Sequence, residues 1–219
     1  VAVTELEQRW LVPDAAVERV QLDATSWVDV VRGLVRDADA VHDELLATAR
    51  WEQGQVFRYE RYVPEPRMMG AFRTPEERHP ALLALTTWLS RRYRVMFPFP
   101  ALVQYRDERD SVGFHRDREL RWLDDTLIGV ATFGATRPWL LKPLGSNRYD
   151  DDLSGAIDLA PGSGDVLVMG GRCQADWLHA VPKVRGRVRS RISAQWRWTS
   201  KRGRRDTAPT FSAPRHFSR

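Results

Sequence analysis

His115 and Asp117 stand two residues apart in Phe114-His115-Arg116-Asp117-Arg118-Glu119, and a second histidine follows far downstream in Trp177-Leu178-His179. On an extended backbone, residues i and i+2 project to the same side, so His115 and Asp117 can approach one point together. Two imidazoles and one carboxylate, two of them close in sequence and the third distant, are the donor set of a facial triad. Such a triad holds a divalent metal and leaves adjacent coordination positions open. The only cysteine is Cys173, which excludes a zinc site built from several thiolates, and a metal here must rely on His and carboxylate. A lone His-x-Asp is common, so the surrounding chemistry decides its meaning. Arg191-Ile192-Ser193-Ala194-Gln195-Trp196-Arg197 alternates as a strand, with Arg191, Ser193, Gln195 and Arg197 on one face and Ile192, Ala194 and Trp196 on the other. The arginine face is either solvated or turned into a polar pocket. In a pocket it would suit a dicarboxylic acid, since guanidinium grips carboxylate bidentately where lysine cannot. Arg191 and Arg197 span about 20 Å of strand, so they serve one site only by reaching in from opposite ends.

The elements that must carry these residues read as mainly β with flanking helices. Thr25 and Ser26 can cap a helix over 26–36, where Trp27, Val30, Val31, Leu34 and Val35 follow helical spacing. A second helix is expected from Pro80 to about Arg94, with proline in its first turn and Leu82, Leu83, Leu85, Trp88, Leu89 and Tyr93 on an apolar stripe. After Pro100 the chain changes to short β-type runs at 101–106, 126–133, 137–141, 156–159, 165–169 and 187–198, which indicates a sandwich or barrel. The segment 143–154 reads as a polar connection and 161–165 as a tight turn. We expect one domain: helices and an extension over 1–100, a catalytic core over 101–200, and an unpacked basic tail over 201–219.

The 219 residues carry a net charge of +5 and a pI near 9.8. That balance suits a polyanionic partner, although the basic residues are nearly all arginine and codon bias alone would produce this. No apolar run is long enough to span a membrane and no signal peptide is evident at Val1 to Trp10, so a soluble, cytoplasmic monomer is expected, in keeping with the single cysteine.

The order of these motifs, together with Gly164-Asp165-Val166-Leu167-Val168-Met169-Gly170-Gly171 and Gln174-x-x-Trp177-x-His179-x-Val181-Pro182-Lys183, resembles the AlkB-type dioxygenases over about Pro66 to Trp198. The resemblance implies a double-stranded β-helix (jelly-roll) oxygenase core that uses Fe(II), 2-oxoglutarate and O2. It implies His115, Asp117 and His179 as iron ligands. Arg191 would hold the distal carboxylate of 2-oxoglutarate, and Arg197 would lie nearer the metal and its carboxylate. Tyr105 would offer its hydroxyl to the co-substrate, with Ser193 beside it. The sequence departs from the family at Val103-Gln104-Tyr105, where Asn-x-Tyr is usual, and at Ser193, often Asn. Glu119 would face the target base. The stretch Val63 to Phe72 resembles a shortened substrate lid, with Arg67, Met68 and Phe72 as candidate substrate contacts. The implied reaction is oxidative dealkylation of N-alkylated bases in DNA or RNA, single-stranded by preference, with release of formaldehyde and succinate. The competing readings are a same-fold oxygenase that hydroxylates a protein or small molecule, and a binding module without turnover. The run Lys201-Arg202-Gly203-Arg204-Arg205 is either a solvated tail or a contact to phosphates.

Overall fold

A computed structural model describes residues 4–58, 60–145 and 155–209. Most of the polar connection at 143–154 and the end of the basic tail therefore lie outside the described residues. The chain opens with helix α1 (Glu5–Trp10), closed by a capping box in which Thr4 and Glu7 satisfy each other's backbone N–H. Strands β1 (Glu18–Gln21) and β2 (Ser26–Val31), helix α2 (Ala38–Thr48), and strands β3 (Arg50–Glu52), β4 (Gln55–Arg58), β5 (Arg61–Pro64) and β6 (Met68–Ala71) follow. Helix α3 (Pro80–Tyr93) leads into β7 (Ala101–Tyr105), β8 (Val112–His115), β9 (Thr126–Gly134), β10 (Leu140–Pro143), β11 (Ile157–Asp158) and β12 (Val166–Gly171). A short helix α4 (Cys173–Asp176) precedes β13 (Trp177–Val181) and β14 (Arg191–Thr199). No helix among the described residues is long and apolar enough to cross a membrane.

Two antiparallel sheets pack face to face. The larger has the order β1-β2-β12-β9-β14-β7-β6-β3, the smaller β11-β10-β13-β8, and β4 and β5 form a separate hairpin. Strand β9 shows why its sequence is apolar almost throughout: both faces are covered. Leu127, Ala131 and Phe133 pack toward the helices, while Ile128 and Val130 pack toward the smaller sheet. Strand β14 is split instead. Ile192, Ala194 and Trp196 enter the helix-side core, and the opposite face carries Arg191, Ser193, Gln195 and Arg197 into the space between the sheets.

Helix α3, expected from the apolar stripe and Pro80, forms as read, with Leu82, Leu85 and Leu89 fully buried. The helix expected over 26–36 does not. Residues Ser26–Val31 are strand β2, paired on one side with β1 and on the other with β12. Val28 and Val30 face the smaller sheet, whereas Trp27 and Val31 face the helices. A strand buried on both faces has apolar residues at nearly every position, and that density imitates helical spacing. The β-branched content of Val28-Asp29-Val30-Val31 was the contrary indication. The helix lies further on, at α2, where Ala38, Val41, His42 and Leu45 are buried at helical intervals.

The sequence reading placed no strand before Pro100, so β1 and β3 to β6 were not expected, and beyond Pro100 it missed β8 and β13, both of which carry metal-ligand candidates. Strand β10 begins three residues later than expected, because Arg137 turns inward. It is fully buried and donates to the carbonyls of Asp107, Asp110 and Pro182. The described part of the basic tail is not unpacked either. A backbone bridge joins Trp122 to Arg205, the Asp206 N–H donates to the Arg121 carbonyl at 2.6 Å, and Arg118 holds the Asp206 carboxylate.

Trp196 is fully buried where β14 meets α3, and its Nε1 donates to Thr86 Oγ1 at 2.8 Å. Trp196→Ala should therefore cost about 3–5 kcal/mol of stability, with Trp196→Phe losing distinctly less. Urea unfolding curves check this, and equal midpoints for the parent and Trp196→Ala would refute the packing account.

Candidate metal and co-substrate site

The two strands missed beyond Pro100 explain how distant residues meet. In the antiparallel pair β8–β13, His115 lies directly opposite His179, and the imidazole centroids are 4.2 Å apart. Asp117 follows just beyond the end of β8. Its Oδ1 is 3.5 Å from His115 Nε2 and 3.8 Å from His179 Nε2. One donor atom from each residue lies within 4.8 Å of the others, a cluster sized for one ion. The donor chemistry fits as well. His115 Nδ1 lies 2.9 Å from the Gly113 carbonyl, so the proton sits on Nδ1 and the Nε2 lone pair is left for a metal. Burial and the neighbouring His115 push the His179 imidazole down to about 3, so it is a neutral donor at physiological pH.

Asp117 is held from two directions. Arg197 Nε donates to its Oδ2 at 2.6 Å, and the Asp117 N–H donates to Gln174 Oε1 at 2.8 Å. Gln174 is itself fully buried and reaches Met169 Sδ at 3.6 Å. Burial opposes ionisation of Asp117, but the Arg197 guanidinium and the two imidazoles hold it well below the ordinary carboxylate range. Arg197 is oriented in turn by Gln195 Oε1, 2.6 Å from its Nη2.

His115, Asp117, His179, Gln195 and Arg197 line a cavity of ≈300 Å3 together with Tyr105, Trp139, Ser193 and Glu119. Trp139 stacks on His179 with centroids 5.6 Å apart. Beside this cavity, on the same strand face and directly opposite Tyr105, Arg191 is completely buried. All three of its guanidinium nitrogens lack a hydrogen-bond partner, and so does the Ser193 hydroxyl. Burial pushes the Arg191 guanidinium down to about 10, and the charge nearby at Arg137 adds to the effect. A buried cation without a partner is costly unless a ligand completes it, and an orphaned guanidinium demands a carboxylate. Burial raises the Tyr105 hydroxyl, while Arg67 and Arg191 beside it oppose that shift. The departures from the family at Val103 and Ser193 are direct cross-strand partners, and both line the cavity.

The residues expected on the substrate side separate into two groups. Glu119 and Arg67 reach the cavity. Met68 and Phe72 do not. Met68 pairs with Gln104, whereas the cavity face of β7 is Val103 and Tyr105, so alternation brings Met69 to the cavity in its place. Phe72 packs against the helix-side core, edge-on to Phe99 at 5.9 Å. Upstream of Met68 the chain forms the β4–β5 hairpin, on which Tyr62 is 66% exposed. Sequence reasoning missed Trp139, Gln174, Gln195 and Met69 as parts of the site. Of these, Gln195 was visible on the arginine face of β14, and Gln174 stood inside a motif already singled out.

His179→Ala should abolish binding of Co(II), a spectroscopic substitute for iron. Gln174→Leu, which only loosens the support of Asp117, should weaken it by roughly 10–100-fold. Anaerobic titration followed by Co(II) absorption reads both, and parent-like affinity in His179→Ala would overturn the ligand set.

The 2OG-Fe(II) oxygenase superfamily profile matches residues 38–206. The alpha-ketoglutarate-dependent dioxygenase alkB homolog 3 of Mus musculus is 28% identical over 177 residues, covering 74% of this chain and 62% of the relative. The DNA oxidative demethylase ALKBH2 of Bos taurus is 25% identical over 118 residues, covering 53% of this chain and 42% of the relative. The chain thus spans less than two thirds of the length of these relatives. Among solved structures, a prolyl hydroxylase from Trichoplax adhaerens superposes with a TM-score of 0.55 at 11% identity, covering 78% of this chain and 82% of the other. An oxidoreductase of the 2OG-Fe(II) oxygenase family from Burkholderia pseudomallei gives a TM-score of 0.50 at 14% identity, covering 78% and 84%. These two likenesses show the jelly-roll fold. A His-Asp-His cluster sized for one ion, a buried arginine without a partner and a profile match over most of the chain agree: the protein belongs to the 2OG-Fe(II) oxygenase superfamily, whose cofactors are Fe(II), 2-oxoglutarate and O2, and it is similar to the AlkB-type dioxygenases.

Proposed function

We propose that the protein oxidatively dealkylates N-alkylated bases in DNA or RNA. The observation that carries this reading is Glu119, a carboxylate in the same cavity as the triad, two residues beyond Asp117, in a chain whose relatives are named for that chemistry. The bound iron, 2-oxoglutarate and O2 supply oxidation of an N-alkyl carbon, giving succinate, carbon dioxide and, from an N-methyl group, formaldehyde. The chain's own residues do the rest. His115, Asp117 and His179 hold the metal, and Arg197 fixes the carboxylate so that its second oxygen faces the metal cluster. Arg191 takes the distal carboxylate of the co-substrate, with Ser193 and Tyr105 alongside. Glu119 accepts a hydrogen bond from the exocyclic amine of the base, and Trp139 and Val181 keep the cavity walls dry. Single-stranded substrates are favoured, since an unstacked base enters such a cavity without the cost of opening a duplex.

The test is formaldehyde release from oligonucleotides carrying 1-methyladenine or 3-methylcytosine, in DNA and in RNA. Turnover on one of them is expected. Succinate formation that responds to none of them, and rises instead with a peptide or small-molecule substrate, would replace this reading with the protein- or metabolite-hydroxylase alternative.

The buried charge at Arg191 makes a second, independent prediction. 2-Oxoglutarate should raise the melting temperature of the metal-loaded parent and fail to raise that of Arg191→Met. Without ligand, Arg191→Met should be at least as stable as the parent, because an unpartnered buried charge has been removed. Thermal denaturation with and without co-substrate checks both, and an equal shift in the two proteins would remove Arg191 from the co-substrate site.

A further inference from the structure

Residues 115–119 run between two cavities. His115, Asp117 and Glu119 line the metal cavity, and the alternate residues, Arg116 and Arg118, line a separate cleft of ≈390 Å3 on the other side of the same segment. The far wall of that cleft is the C-terminal segment, which contributes Arg204, Arg205 and Asp206. This wall is built, not draped. Arg118 grips the Asp206 carboxylate with two hydrogen bonds of 2.6 Å, and Arg121 Nη1 donates to the Ala208 carbonyl at 2.9 Å. The Asp206 backbone bonds to Arg121, and the Arg205 guanidinium lies 5.7 Å from the Trp122 ring centroid.

The charges of the cleft are not all spent internally. Arg118 is committed to Asp206, and Asp124 is paired with Arg172. Arg204 and Arg205 are exposed and make no ion pair among the described residues. Two guanidiniums free of ion pairs among the described residues, across the 115–119 segment from a base-sized cavity and on a wall that a carboxylate strut holds in place, suit a phosphodiester.

We propose that this cleft binds the sugar-phosphate backbone of a single-stranded nucleic acid next to the base that enters the metal cavity, with Arg204 and Arg205 on phosphates and Asp206 as the strut that positions them. The proposal rests on the nucleic-acid reading above and deepens it by giving the strand a path. It also gives the basic C-terminal run a built role in which only part of the run takes part, since Lys201 and Arg202 do not line the cleft.

The experiment is fluorescence anisotropy of a short single-stranded oligonucleotide with the Mn(II)- and 2-oxoglutarate-loaded protein, across a salt series. Arg204→Gln with Arg205→Gln should weaken binding and flatten the plot of log affinity against log salt by about 1.4 units, two contacts at roughly 0.7 each. Lys201→Gln with Arg202→Gln removes the same charge outside the cleft and should change the slope far less. Asp206→Asn raises the net charge by one, so bulk electrostatics alone predicts tighter binding, whereas loss of the strut predicts weaker binding. Mn(II) affinity should stay at the parent value in all three, which establishes that they fold. Equal slopes for the two double variants, tighter binding by Asp206→Asn, or no binding by the parent would each overturn the proposal. An oligonucleotide that binds through Arg204 and Arg205 while no methylated strand yields formaldehyde would keep the cleft and remove the dealkylation reading instead.

Discussion

The contact between Arg197 and Asp117 joins the two sheets at the point where the metal ligands converge. Arg197 belongs to the larger sheet, and Asp117 sits just past the last residue of β8 in the smaller one, yet their side chains meet at 2.6 Å with the carboxylate buried. A buried carboxylate with one oxygen engaged by a guanidinium has its other oxygen directed by default, and that oxygen is the one within 4 Å of both imidazoles. Gln174 completes the constraint from the backbone side. Such a pair is not a large source of stability, since desolvating both ions offsets much of their attraction. Its consequence is geometric: the gap between the sheets and the direction of the carboxylate are set together.

The co-substrate region follows the opposite rule. Arg191, Ser193 and the nearby Arg137 put buried polar atoms where the protein itself does not satisfy them all. Natural cores rarely tolerate this, and where they do the unsatisfied group usually belongs to a ligand. The folded protein therefore carries buried polar atoms that its own residues leave unpaired, as a site for a dicarboxylate would.

Strand alternation distributes the chemistry. One five-residue segment gives its odd positions to the triad cavity and its even positions to the basic cleft, and β14 gives one face to the core and the other to the space between the sheets. On β14 the period of two does this with a regular backbone, whereas residues 116–119 lie past the end of β8 and turn through a short 3-10 helix at Arg118–Leu120. A one-residue slip of β8 against β13 would separate His115 from His179. Register, more than the identity of any one residue, is what the ladder protects.

The pair His115 and Asp117, the arginine face of β14 and the helix α3 were legible in the sequence, because each is a local pattern, a two-residue spacing, a period of two and a period of 3.6, whereas the distant His179 joined the pair only through the order of motifs. What misled was the region buried on both sides. Ser26–Val31 is covered by the smaller sheet and by the helices at once, so its apolar residues lose their strand periodicity and pass for a helix. Met68 and Phe72 were misplaced for a related reason: which of two adjacent residues faces a cavity depends on the pairing of β6 with β7, and pairing is a long-range fact. The docking of Asp206 on Arg118 joins residues 88 positions apart and leaves no trace in local composition, where the segment reads as a solvated tail. Spacing and alternation determined which side chains could act together. Only the tertiary structure decided which faces are covered, because burial is a property of what packs against a strand and not of the strand's own residues.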